Sequence, residues 1–136
     1  MSEFRRTLGI KEPASAFGLV EAARNGLKKE ALDNIAEALE IGPAEMGRFL
    51  HVSPRTIHRY KPGQTLSLDA SDHILQIAKV YERTVEVLGE GGNAVQWLKA
   101  SNMALGGAKP IDLLDTSPGI EMVITILGRI EYGVYS

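Results

Sequence analysis

The chain has 136 residues, 44% of them hydrophobic and 24% charged, a length and balance that fit one or two small domains with a real core. It has no cysteine, which excludes disulfides and thiolate metal sites, and no apolar run approaches the roughly 20 residues that a membrane-spanning helix needs. Its formal net charge of −2 argues, taken alone, against a nucleic-acid partner.

The first 25 residues are weakly patterned and read as an arm or a weak helix. Their opening, "MSEFRRTLGIKEP", lacks the apolar run of a signal peptide, so a soluble, cytoplasmic protein is expected. From Leu27 to Ile41 the apolar Leu32, Ile35, Ala36 and Leu39 recur at helical spacing, and Gly42-Pro43 ends that helix and starts the next. "PAEMGRFL" turns Met46, Phe49 and Leu50 inward. "HVS" makes a tight turn, and Ser53-Pro54 supplies the N-cap and first residue of a helix that stops at Pro62-Gly63.

The longest helix follows, from about Leu68 to Gly89. Asp69 or Ser71 would cap it, and Ile74, Ile77, Ala78, Tyr81, Val85 and Leu88 form its stripe. The glycines at 89, 91 and 92 break it. A short helix holds Trp97, which reads as core together with Leu113 and Leu114. A sharp loop, "NMALGGAKP", and a brief helical turn lead to a last helix capped by Thr116 or Ser117, with Ile120, Val123, Ile124, Leu127 and Ile130 as its apolar face. No segment alternates as a strand would. The expected fold is all-α, with an N-terminal arm (1–25), a helix-turn-helix module (26–65) and a second helical domain (66–136).

Charge singles out the first module. Met46 to Leu68 holds Arg48, Arg55, Arg59, Lys61 and two histidines without a single acid, whereas acids outnumber bases on either side. A basic island in an acidic chain is a local footprint for a polyanion. The same stretch, "AEMGRFLHVSPRTIHRY", has helix-turn-helix spacing. Gly47 supplies the small residue where the helices cross, and Phe49, Leu50, Val52 and Ile57 supply the anchors. The second helix offers Ser53, Arg55, Thr56, His58 and Arg59, with Lys61 just beyond, as candidate DNA-binding residues. The place in the turn where glycine commonly takes a left-handed conformation falls to His51, a residue that tolerates positive φ better than most.

Other chemistry finds little support. His51, His58 and His73 lack the i, i+4 spacing of a helical metal pair, and the glycine pairs match no phosphate cradle, so neither metal nor cofactor is expected. No nucleophile, base and orienting group cluster together, which argues against an enzyme.

The second domain resembles the C-terminal toxin-binding domain of Xre/MbcA/ParS-type antitoxins. Trp97-Leu98, Asn102, Ala104 to Gly107, Pro110, Leu113-Leu114, Thr116, Gly119, Val123, Leu127, Ile130 and Gly133 fall where that family's pattern puts them. Leu50 to Gly89 resembles the same family's Xre-like helix-turn-helix and linking helix. The resemblance implies a type II antitoxin whose partners are a RES-type toxin, NAD-consuming and of ADP-ribosyltransferase-like fold, and its own operator DNA. It also implies a homodimeric repressor.

The chain ends on "RIEYGVYS", an aromatic and apolar tail where a free end is usually polar. Arg129, Glu131, Tyr132, Val134, Tyr135 and Ser136 are the candidate toxin-binding residues, the rings and terminal carboxylate acting as a plug in a nucleotide cleft. The competing reading folds the tail onto its own domain. A plain helix-turn-helix regulator without a toxin partner is the alternative function.

Overall fold

Residues 15–89 and 92–133 are described in the computed structural model, and every regular element among them is helical. They form two compact units divided between Ala78 and Lys79, within one continuous helix.

In the first unit, Ser15 opens α1 (Ala16–Asn25) by accepting the Gly18 N–H at 3.0 Å. Part of the expected arm (1–25) is therefore a capped helix, and its residues 1–14 lie outside the described residues. In α2 (Lys29–Leu39) the side chains of Ala31, Leu32, Ile35 and Leu39 are buried, and Lys29 pairs with Asp33 on the exposed side at 2.8 Å. The helix stops before Ile41. Glu40 turns left-handed (φ 55°), so the Ile41 N–H reaches back to the Ala36 carbonyl at 3.0 Å.

The next helix, α3 (Pro43–Leu50), ends the same way. His51 is left-handed (φ 61°) and the Val52 N–H bonds to the Gly47 carbonyl at 2.9 Å. This is the conformation anticipated for the turn, carried by a residue that is not glycine. Against α3 packs α4 (Pro54–Arg59), so closely that a Cβ on Gly47 would lie 2.5 Å from the Val52 carbonyl oxygen. Met46, Phe49, Leu50 and Ile57 are buried in this unit.

The loop after α4 is fastened to the start of α2. Lys28 and Thr65 form an isolated antiparallel bridge, the Leu66 N–H bonds to the Leu27 carbonyl, and the Lys29 N–H bonds to the Gln64 carbonyl, both at 2.8 Å. The long helix α5 (Leu68–Leu88) begins one residue after Ser67, whose Oγ accepts the Ala70 N–H at 3.1 Å. Neither Asp69 nor Ser71 caps it. Ser71 is instead fully buried, its hydroxyl accepting the Leu27 N–H at 2.8 Å, 44 residues away in sequence.

In the second unit, α6 (Asn93–Leu98) buries Ala94 and Leu98, and Trp97 is half-buried rather than a core residue. A six-residue helix has room for one inward face, and the two smaller side chains occupy it. Two 3₁₀ turns follow, Met103–Leu105 and Pro110–Leu113, and then α7 (Ser117–Glu131), capped by Thr116, whose Oγ1 accepts the Gly119 N–H at 3.1 Å. The second 3₁₀ turn packs on both α6 and α7. Leu114, just after it, is fully buried, and Leu113 is half-buried. Gly119 lies directly against the Leu113 carbonyl, too close for any Cβ. Ile120, Val123, Ile126 and Leu127 are buried, while Ile124 and Ile130 are half-buried.

Gly47→Ala should lower folding stability by about 1–3 kcal/mol, because the added methyl meets rigid backbone. Gly128→Ala, which enters open space inside α7, should instead be neutral or stabilise by up to about 1 kcal/mol. Urea unfolding midpoints of the two variants check the contrast.

Candidate functional site

Helix α4 is short because its sequence limits it at both ends. Ser53 caps it by accepting the Thr56 N–H at 3.1 Å, Pro54 sets the first φ, and Tyr60 leaves in extended conformation. Ile57 is its single buried side chain. That orientation leaves Arg55, His58 and Arg59 exposed. Thr56 is half-buried and its hydroxyl lies 3.0 Å from that of Ser53, so these two hydroxyls serve the helix start. Lys61 is exposed just past the helix, its backbone N–H bonded to the Gln64 side-chain carbonyl at 2.9 Å.

The structure thus groups Arg55, His58, Arg59 and Lys61 on one short element and its exit loop. Arg48 differs from them: its guanidinium lies 4.8 Å from the Phe49 ring centroid and 3.9 Å from Glu45.

That exit loop is held by a carboxylate. Glu30 accepts the Gly63 N–H at 2.9 and 3.3 Å through its two oxygens, and this backbone bond holds its carboxyl below the ordinary carboxylate range. Lys28 adds a bond from its ammonium to Thr65 at 2.7 Å. His51 meets His73 edge to face, with ring centroids 6.0 Å apart.

In the second unit, the candidate residues divide. Glu131 is engaged within its own unit by a bidentate bond from Arg83, one arm at 3.0 Å. The guanidinium holds the Glu131 carboxyl down and is itself raised by the same bond. Arg129 is exposed on α7. Tyr132, at the end of α7, is 80% exposed, and Gly133 after it turns left-handed (φ 72°). Val134, Tyr135 and Ser136 lie outside the described residues.

Met103 and Met122 read as ordinary apolar residues in the sequence, yet both are exposed, Met103 by 94%. The signal that finds Met103 is its position in "NMALGGAKP". Asn102 closes this loop on itself. Its side chain accepts the Ala104 N–H at 2.9 Å, its carbonyl accepts the N–H groups of Leu105 at 3.0 Å and Gly107 at 2.9 Å, and its own N–H bonds to the Ala108 carbonyl at 3.0 Å. Gly106 and Gly107, both at positive φ, make the return possible.

Among the described residues, no group of three or more His, Cys, Asp or Glu side chains could hold a metal ion, and no helix is long and apolar enough to cross a membrane.

Comparison with known proteins gives these two units their class. Residues 18–79 match the antitoxin Xre-like helix-turn-helix domain, and residues 83–133 match the antitoxin Xre/MbcA/ParS C-terminal toxin-binding domain. The pair defines an antitoxin of a toxin–antitoxin system, in which a helix-turn-helix module precedes a helical domain that takes a toxin as partner. An antitoxin Xre of Photorhabdus laumondii is 30% identical over 134 residues, spanning 96% of this chain and 89% of the relative. The chain belongs to the Xre family of antitoxins. A Prs ADP-ribosylating antitoxin of Sphingobium is 27% identical over 133 residues, 90% of this chain and 84% of that one. The fold is shared with a chain of the M. tuberculosis MbcT–MbcA toxin–antitoxin complex, at a TM-score of 0.58 and 23% identity over 79% of this chain and 96% of that one.

The lowered carboxyls of Glu30 and Glu131 fix a sign for the effect of acid. Their contribution to stability is present above the unfolded carboxylate pKa of about 4.3 and is lost as pH falls through the lower folded values. Urea midpoints of wild type and Glu131→Gln should therefore differ at neutral pH and converge in acid.

Proposed function

We propose that this antitoxin represses its own operon through α4 and neutralises a RES-type, NAD-consuming toxin by occluding its active site with the C-terminal tail. The DNA half is supported by one coincidence. The acid-free stretch Met46 to Leu68 folds into a helix-turn-helix whose second helix buries Ile57 and exposes Arg55, His58 and Arg59. Arginines at that place suit guanine edges in a major groove, and Lys61 on the exit loop suits phosphate. A homodimer would present two such helices to half-sites about one helical turn apart.

The toxin half is supported by the exposure of Tyr132 at the end of the toxin-binding unit, shortly before Val134, Tyr135 and Ser136 in the sequence. Tyrosines at an interface are frequent carriers of binding energy. The Sphingobium relative is named for ADP-ribosylation, which supports a toxin of ADP-ribosyl-transfer chemistry.

Arg55→Ala and Arg59→Ala should each weaken operator binding by about 1–3 kcal/mol in a gel-shift or anisotropy titration, with toxin capture unchanged. Wild-type affinity should also fall steeply with added salt. Equal retardation of variants and wild type would remove α4 from the DNA contact. Deletion of Tyr132 to Ser136 should restore toxin activity, read as growth arrest and a fall in cellular NAD on co-expression. Full neutralisation by the truncated chain would rule out the tail as the plug.

A further inference from the structure

Two shallow grooves lie side by side on the second unit. Asn102, Met103, Ala104, Ile126 and Ile130 line the first, and the second runs along α7 from Pro118 through Met122 to Arg129. They share Ala104 and Ile126, so they adjoin on one largely apolar face that carries Met103 and Met122, with Glu121, Thr125 and Arg129 along the second groove.

What makes this face more than scattered apolar surface is how Met103 is held. A 94% exposed methionine on a loose loop would mean little. This one sits on a loop closed at its base by the backbone bonds of Asn102 and Ala108 and turned by two left-handed glycines. The backbone is ordered in a conformation that leaves a large apolar side chain in water. Folding alone gives no return for that arrangement; association does. Methionine also adapts its shape to an opposing surface better than branched residues do.

We infer that the face between Met103 and Met122 is the anchoring surface for the toxin, separate from the tail that blocks it. This rests on the reading that a toxin is the partner. The occupant follows from position: the whole face lies within residues 83–133, the stretch that matches a toxin-binding domain. Its grooves end at Arg129 and Ile130, close in sequence to the exposed Tyr132 at the end of α7. The partner surface that fits is an apolar ridge or helix face. Anchoring on this face would place the tail's origin at the toxin surface and make its entry into the cleft an intramolecular step.

The test is capture of the product of the adjacent reading frame by the full-length chain, with dissociation constants measured for wild type and two double variants. Met103→Glu/Met122→Glu should weaken capture by about 100-fold or more although the tail is intact, while Met103→Leu/Met122→Leu should stay within about threefold of wild type. Both positions are exposed, so the thermal midpoint and operator binding should be unchanged in each. Undiminished capture by the Glu variant would overturn the proposal while leaving the toxin reading standing. A wild-type chain that captures nothing would sink both. If the Glu variant instead loses self-association by light scattering and keeps its toxin, the face joins copies of this chain and the proposal is wrong.

Discussion

The backbone contact at Gly47 is the constraint on which the helix-turn-helix unit depends. The α-carbon of Gly47 sits against the Val52 carbonyl, and only a residue without a side chain lets α3 and α4 approach so closely. The left-handed His51 then turns the chain within three residues, and Ser53 is delivered in position to cap α4. With Ile57 pinned inward, the cations of α4 have one direction left to face. Spacing, capping and charge therefore meet on a helix too short to be stable by itself.

The second unit solves a different problem with similar means. Gly119 allows the start of α7 to press on the second 3₁₀ turn, and Thr116 fixes where the helix begins. Arg83 and Glu131, 48 residues apart, tie the far end of α7 back to α5. Glu131 thus fastens the C-terminal end of α7 within its unit. The face carrying Met103 and Met122 lies along the helix so anchored.

Features decided by neighbouring residues were legible in the sequence. The caps at Ser53 and Thr116, the break after Leu88 and the tight turn at His51 each follow from side chains within a few positions. The all-helical class followed from periodicity, and the antitoxin family from a resemblance to known proteins carried by turns and apolar positions of the second half. Features decided by distant partners were not legible. Ser71 has the look of a cap, but the orphan Leu27 N–H claims its hydroxyl. Glu30 looks like a surface acid until the Gly63 amide reaches it. Trp97 reads as core, yet the burial of Ala94 and Leu98 on the inward side of α6 leaves it half-buried.

We propose two kinds of partner for two surfaces, a polyanion for α4 with its exit loop, and a protein for the first 3₁₀ turn with α7. Backbone hydrogen exchange of the full chain, measured free, with operator DNA and with toxin, tests that separation most directly. DNA should protect residues 53–61 and leave 102–132 unchanged, while toxin should protect 102–105 and 118–132 and leave 53–61 as in the free chain. Toxin-induced protection confined to 53–61, with none along α7, would contradict it.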